Sequence, residues 1–377
     1  MDFFEWKIGL GLLLFGVFAL LTLIQLIYHW LFFSRLAFFN PSKRTSSQTQ
    51  PVSVIVCARD EAANLATNLP GILVQTYPTT HEVIVVNDNS VDESKYVIAE
   101  LQKNFKNLQH VELKHEAKGI PGKKYPLSIG IKEAKHEVLL LTDSDCVPAS
   151  EYWIQKMQEG YTNGVEVVLG YGAYHKKPGM LNKIIRFETF QSALQFLSFA
   201  LAGLPYMGVG RNLSYKKGLF FQVKGFSSLN HIPSGDDDLF INRVANKKNT
   251  AIVIDPDAIT LSEPKKKFGE WVRQKNRHYT TAKYYRPLHK FLIGLYSISQ
   301  FLFYPAFAVA IIFYDWRLVL GVFALRMLSL FVIYGNAFKK LNETDLTRWL
   351  FFFDIWQFFY YIIFTPALWK KPKRTWQ

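Results

Sequence analysis

Residues 8–33 contain no Asp, Glu, Lys or Arg. A helix of about 20 apolar residues crosses the hydrocarbon core of a bilayer, so this block is long enough to span with some tilt. Three blocks near the C-terminus repeat the pattern. Residues 291–314 carry no charge, 318–337 carry only Arg326, and 349–369 carry only Asp354. A cleaved signal peptide fits the first block poorly, because Asp2 and Glu5 outweigh Lys7, the apolar run is too long and no small-residue cleavage site follows. The chain must therefore satisfy two solvents. The pattern predicts an N-terminal transmembrane anchor over 1–39, a water-soluble domain over 40–290 that ends in a basic interfacial segment, and a C-terminal membrane region of two or three spans over 291–377. Arg326 and Asp354 are costly in hydrocarbon and are expected to face protein, water or each other.

The net charge is +14. In a soluble protein that excess would raise a nucleic-acid role first, but no recognition motif accompanies it, and no nucleic-acid partner is expected. The basic residues cluster beside the apolar blocks instead: Arg35, Lys43 and Arg44 after the first, and Lys265 to Lys290 before the second. Positive charge flanking spans marks the cytoplasmic side, which puts the middle of the chain in the cytoplasm. Such charge also suits anionic lipid headgroups and a phosphate-bearing ligand. With four spans both termini lie outside, and the tail residues Lys370, Lys371, Lys373 and Arg374 break the rule. Either one block does not span or the tail is an exception.

The middle reads as alternating strands and helices. Val52–Ala58 is an apolar β-branched run ending in Arg59-Asp60-Glu61. Val83–Val86 runs into the polar turn Asn87-Asp88-Asn89-Ser90. Further strands are expected at 110–113, 137–142 and 165–170, with helices opening at Asp92-Glu93 and spanning 127–134. Strands alternating with helices of about 10–15 residues indicate an α/β fold with a mostly parallel sheet, whose ligands bind at the carboxyl ends of strands. Residues 189–210 are uncharged, and Gln191, Gln195 and Pro205 favour a buried or interfacial helix over a span. Cys57 and Cys146 are expected in the core, neither having a partner at metal spacing.

Three strand ends carry acidic or polar residues. Asp143-Ser144-Asp145 follows an apolar strand, and two carboxylates one residue apart repel unless a cation lies beside them. Magnesium or manganese held by one or two carboxylates and by substrate phosphates is the usual arrangement; a plain acidic turn is the alternative. Asp88 is placed to accept hydrogen bonds from a nucleoside. Asp236, Asp237 and Asp238 follow Pro233-Ser234-Gly235; Ser234 or Asp236 is expected to cap the helix that begins at Asp238, and a carboxylate among the three is a candidate general base. Gln274, Lys275, Asn276, Arg277 and His278 lie in a basic, aromatic stretch that suits either a membrane-surface helix or contacts to a departing diphosphate by Arg277 and His278.

The acidic stations, in their order and spacing, resemble glycosyltransferase family 2, inverting enzymes with the GT-A fold, over about residues 50–290. VSVIVCARDEAANL is similar to that family's first strand, with Asp60 where Asn is common. EVIVVNDNSVDES resembles V-D-D-G-S-T-D, with Asp88 matching and Asn87 and Asn89 departing. Gly122-Lys123-Lys124-Tyr125-Pro126-Leu127 resembles G-K-x-x-A-L, and Asp143-Ser144-Asp145 the D-x-D motif. Residues 208–217 resemble an acceptor-side stretch through Gly208, Asn212 and Tyr215. SGDDDLFINR resembles the G-D-D motif of membrane members such as hyaluronan and chitin synthases. The resemblance implies Asp60, Glu61, Asp88 and Lys123 at the donor, with Asp143 and Asp145 on the sugar diphosphate and its metal, Asp145 being the expected direct ligand. It implies Asp237, beside Asp236, as base, and Gln274, Arg277 and His278 at the diphosphate. His278 stands where processive members carry tryptophan.

The resemblance thus implies transfer of a sugar from a nucleotide sugar, UDP being the expected carrier, to a lipid-linked or membrane-associated acceptor at a bacterial inner membrane. A processive polysaccharide synthase is the second reading, and an inactive scaffold of the same fold a third.

Overall fold

The computed structural model describes residues 3–41, 50–115, 119–162 and 164–369. Its centre is a seven-stranded sheet. Four of the strands are β1 (Val52–Ala58), β2 (His81–Asp88), β3 (Leu108–Leu113) and β4 (Val138–Asp143). They run parallel in the order β3-β2-β1-β4, with Cys57 level with both Val86 and Asp143. β1 is buried along its whole length, as expected of a strand covered on both faces.

The parallel run stops there. Past a short strand β5 (Cys146–Pro148), the chain forms β6 (Val167–Leu169), β7 (Gly172–Tyr174), β8 (Leu213–Lys216), β9 (Thr250–Ile252) and β10 (Thr260–Ser262). β8 pairs antiparallel with β4 and β6, and β9 runs parallel to β6 at the edge. β5, β10 and β7 make a second, three-stranded sheet that the hydrophobic pattern did not reveal. The strand expected at 165–170 is half as long, because Val165 and Glu166 belong to the turn that meets Asn249.

Helices Ala62–Leu73 (α1), Ser94–Asn104 (α2) and Lys124–Glu133 (α3) follow β1, β2 and β3. The uncharged stretch from 189 belongs to a longer helix, Met180–Leu201 (α4). It begins earlier than the charge-free run because its charged residues are paired: Arg186 with Glu343 and Asp345, and Glu188 with Lys275. α4 packs under the domain and over the apolar helices, with Phe199 stacked on Phe32 at 4.7 Å and Phe187 on Phe353 at 4.3 Å.

Four segments are long and apolar enough to cross a membrane: Gly9–Ala37, Pro287–Phe313, Trp316–Lys340 and Thr344–Trp369. The first two are antiparallel neighbours. Tyr28 Oη donates to the Leu292 carbonyl at 2.6 Å, and Gln25 Nε2 to that of Ser299 at 3.0 Å. Arg326 and Asp354 do face each other. The guanidinium pairs with the Asp354 carboxylate and donates to Gln25 Oε1 at 2.9 and 2.7 Å, while Tyr304 Oη donates to Asp354 at 2.6 Å. One buried polar knot therefore joins all four segments. The basic tail from Lys370 lies outside the described residues, as do residues 42–49 of the linker after the anchor.

Candidate active site

Because β2, β1 and β4 are adjacent and parallel, their carboxyl ends open on one edge of the sheet. Asp60 adopts φ +56°. Its Oδ1 accepts the Val91 N–H at 2.8 Å and its own N–H donates to Ser90 Oγ at 2.9 Å. The Ala62 and Glu61 N–H groups donate to Asp92 at 2.8 Å and Ser94 Oγ at 3.1 Å. The loop after β2 thus caps the helix that follows β1, and Asp60 ties the two loops together. The sequence marks Asp92 only as the opening of its own helix; its bond, and that of Ser94, to the helix after β1 leaves no local signature, because the cap comes from another loop. Asp88 is buried, with Arg59 Nη1 at 3.8 Å and Asn89 Nδ2 donating to it at 3.0 Å. Burial first, then Asp145, pushes the Glu61 carboxyl above its ordinary range, against the hydrogen bond from Asn64.

Asp143 pairs with Lys123. Burial alone would lower the Lys123 ammonium, but Asp143, Cys57 and Asp236 outweigh it and hold it above its ordinary range. Arg211 lies over the Tyr174 ring at 4.5 Å and faces Asp145 and Asp143. It went unmarked in the sequence because nothing local shows that β8 lies beside β4. Ligand atoms of Asp143, Asp145 and Cys146 all lie within 4.8 Å of one another. Two close carboxylate donors fit a hard divalent cation. Cys146, expected only to pack, sits at that site, although its Sγ is buried 2.9 Å from Ser262 Oγ.

Asp237 and Asp238 face different partners. The helix Asp238–Val244 (α5) is capped by Asp237, whose Oδ1 accepts the Asp238 N–H at 2.7 Å. Neither Ser234 nor Asp236 is the cap, because the left-handed Gly235 (φ +98°) turns the chain so that Asp237 precedes the first helical residue. Asp237 Oδ2 also accepts the Gly210 N–H at 2.8 Å. Burial first, then Asp236 and Asp238, pushes the Asp237 carboxyl up to about 8, against those two hydrogen bonds. Asp238 points the other way, accepting from Thr281 Oγ1 and from Tyr285 Oη at 2.8 Å. Lys124, buried beside Lys123, donates to the carbonyls of Ile232 and of Ser234 and so braces the loop before Asp236. Gly122 (φ +78°) packs against the Pro233 carbonyl, where a Cβ would collide.

The expected acceptor-side residues lie deeper than their assignment requires. Asn212 is wholly buried; its Nδ2 donates to the Tyr171 and Ala258 carbonyls at 2.9 and 2.7 Å, and its Oδ1 accepts from Trp153 Nε1 at 3.1 Å. Tyr215 is wholly buried on β8 against Phe240, and Gly208 packs against Leu213 and Leu169. All three build the floor beneath the Asp237 loop, and only the backbone around Gly210 reaches Asp237. The helix Phe268–Tyr279 (α6) carries Gln274, whose buried Oε1 lacks a partner among the described residues, and Arg277, which is exposed. The His278 side chain lies outside the described residues. Trp271, on the same helix, is fully buried, 5.2 Å from Phe364.

Residues 53–220 match the family described as Glycosyl transferase family 2. The chain is 25% identical to the Probable glycosyltransferase YdaM of Bacillus subtilis (strain 168), over 93% of this chain and 91% of that one. It is 28% identical to the Poly-beta-1,6-N-acetyl-D-glucosamine synthase of Staphylococcus epidermidis (strain RP62A), over 47% and 42% of the two chains. Among solved structures, the mannosyltransferase PcManGT from Pyrobaculum calidifontis, in complex with GDP-Man and Mn2+, superposes with a TM-score of 0.58 at 17% identity, covering 92% of this chain and 99% of that one. That likeness is one of fold, and the fold is GT-A-like. Residues 53–220 carry a glycosyl transferase family 2 domain.

Proposed function

We propose that the chain transfers a sugar from a nucleotide-sugar donor, a UDP-sugar, to a lipid-linked or membrane-associated acceptor with inversion at the anomeric carbon. The observation that carries this reading is the meeting of three carboxylate stations, Asp88, Asp143-Asp145 and Asp237, around one sheet edge of a domain joined to apolar helices. Asp88 and Glu61 face the nucleoside. Asp145, with Asp143, would hold magnesium or manganese, and the ion would neutralise charge on the diphosphate. Lys123 carries a fixed positive charge beside Asp143. Asp237 takes the proton of the acceptor hydroxyl, and the freed oxygen attacks the anomeric carbon. The bond to the diphosphate breaks, and the diphosphate departs with the electron pair past Arg277 on α6. An α-linked donor then gives a β-linkage.

Orientation follows from charge and packing. Arg35, Arg286, Lys290, Lys339 and Lys340 lie at the domain-side ends of the first three apolar segments, a pattern that supports a cytoplasmic domain at a bacterial inner membrane. The fourth segment, Thr344–Trp369, is an α-helix, Leu350–Phe364, flanked by 3-10 turns. Both its ends pack on the domain side: Phe353 on Phe187 of α4, and Phe364 on Trp271 and Tyr279 of α6. We infer three crossings and one re-entrant segment, an arrangement that removes the conflict raised by the basic tail.

The test is nucleotide binding by the full chain in detergent. UDP and GDP are titrated with and without manganese, beside Asp145→Asn. Metal-dependent micromolar binding of one nucleotide, lost in the variant, supports the donor site. A folded protein that binds neither nucleotide overturns it.

A further inference from the structure

The first C-terminal apolar helix, Pro287–Phe313 (α7), leaves the domain beside a cavity of about 250 Å³ lined by Leu229, Leu239, Asn242, Arg243, Tyr284 and Arg286. None of the carboxylates of the candidate active site lines it. Its two guanidiniums come from different elements, Arg243 from α5 and Arg286 from the residue that precedes α7. Each makes a local hydrogen bond, Arg243 Nη1 to Ser228 Oγ at 2.6 Å and Arg286 Nη2 to the Arg243 carbonyl at 2.6 Å. Neither pairs with a carboxylate among the described residues. Two arginines beside a cavity, without an acid to balance them, are an anion site in want of an anion.

The surroundings say which anion. Lys283 and Lys290 stand on the same connection and are exposed, Lys290 Nζ donating to the Lys283 carbonyl at 3.4 Å. One turn into α7, Leu288 and Phe291 are 53% and 64% exposed. A ligand that fits has a negatively charged phosphate for the arginines and an apolar chain for Leu288 and Phe291. A soluble phosphate leaves the apolar face uncovered; a zwitterionic lipid brings its own cation against four basic side chains. We propose that this cavity binds the phosphodiester headgroup of an anionic phospholipid, which clamps α5 to the start of α7.

The clamp would act on the base. α5 carries Asp237 at its cap, and its next residues already grip the same connection: Asp238 accepts from Thr281 and Tyr285, and Asn242 Oδ1 accepts the Arg286 N–H at 3.0 Å. A phosphate bridging Arg243 and Arg286 closes the far end of that grip. Arg243 and Arg286 are positioning residues, since they touch neither donor nor acceptor. The proposal rests on the membrane reading but not on the identity of the sugar.

The full chain is purified from vesicles of phosphatidylglycerol and phosphatidylcholine in equal amounts, and the retained lipid is counted by native mass spectrometry. The native protein should retain phosphatidylglycerol in preference, and Arg243→Gln/Arg286→Gln should lose that preference by on the order of tenfold. Lys339→Gln/Lys340→Gln, at another domain-side helix end, should keep it. Because both arginines also hold local structure, Arg243→Lys/Arg286→Lys is compared by melting and by lipid content, and should keep most of the lipid. Equal retention in the Gln variant, equal loss in the Lys339/Lys340 variant, or loss in the Lys variant at unchanged melting overturns the proposal. So does stabilisation by inorganic phosphate or glycerol phosphate as large as that by phosphatidylglycerol, which would make the ligand soluble.

Discussion

Gly210 donates its backbone N–H to Asp237 Oδ2 at 2.8 Å, which ties the loop before β8 to the carboxylate proposed as base. The other oxygen of Asp237 caps α5. Asn caps a helix about as well as Asp but cannot take a proton. The Asn oxygen keeps the cap, but its amide nitrogen cannot accept the Gly210 N–H, so Asp237→Asn should lose about 1–3 kcal/mol of stability while kcat/KM falls by about 10²–10⁴-fold. Steady-state release of nucleoside diphosphate reports the rate. A variant that retains more than a tenth of native activity would move the base to Asp236.

The pH profile tests the same group independently. Burial and its acidic neighbours push Asp237 up to about 8, and a base works only when ionised. The rate should climb as pH rises toward that value, with an acid limb well above the ordinary carboxylate range. Asp238→Asn removes one neighbouring charge and should shift the limb to lower pH. Stability runs the other way. A carboxyl raised in the folded state favours folding while it is protonated, and that contribution is lost as pH rises from about 4, its unfolded value, through about 8. An acid limb near pH 4 would remove Asp237 from the proton transfer.

Lys124 shows how a buried cation can shape a site it never enters. Burial holds its ammonium below the ordinary lysine range, and it donates to two carbonyls of the loop 232–234. Lys124→Met fills the same space and leaves both carbonyls unpaired, at a cost of about 1–3 kcal/mol. The expected result is a lower melting temperature and a reduced kcat with nucleotide affinity within twofold of native. Loss of nucleotide affinity instead would make Lys124 a donor contact.

β1, β2 and β4 were legible because each is a short apolar run that stops at an acidic turn, whereas β3, with Gln109, His110 and Glu112, is only partly buried. Of the other half, only β6 was legible, as the longer run 165–170. β7, β9 and β10 are three residues each, too short for a period-two pattern to stand out, and their partners lie far away in sequence. The same limit explains the site. Asp88, Asp143, Asp145 and Asp237 announce themselves as acids at strand or helix ends, whereas Arg211, Asp92 and Lys124 act across loops whose proximity only the topology creates. Asn212 and Tyr215 show the converse: a motif marked their position, and burial decided that they support the floor.

Arg326 and Asp354 form a pair with 0% and 1% of their side chains exposed. Removing one partner of such a pair costs about 3–5 kcal/mol because a charge is left stranded, whereas replacing both with apolar residues is often neutral. Asp354→Leu alone should melt well below the native protein in detergent, and Arg326→Leu/Asp354→Leu should recover most of the loss. A double variant no better than the single one would mean that Gln25 and Tyr304, left without Arg326 and Asp354, bear the cost themselves.

Three crossings and four differ in where the chain after Trp369 lies. If Leu350–Phe364 turns back, a reporter fused after residue 369 and one inserted near residue 45 lie on the same side, while one near residue 315, between α7 and the helix Trp316–Lys340, lies opposite. Phosphatase fusions active only outside the cytoplasm should then be active at the 315 position alone. The geometry gives a second handle, since Tyr360 Oη donates to Glu188 of α4 at 3.2 Å. Cysteines placed at Phe353 and Phe364 should both resist a membrane-impermeant thiol reagent added from outside to intact cells, while one at Asp315 should react. Labelling of the Phe364 variant from outside, together with phosphatase activity after residue 369, would establish four crossings and detach the end of the last helix from α6.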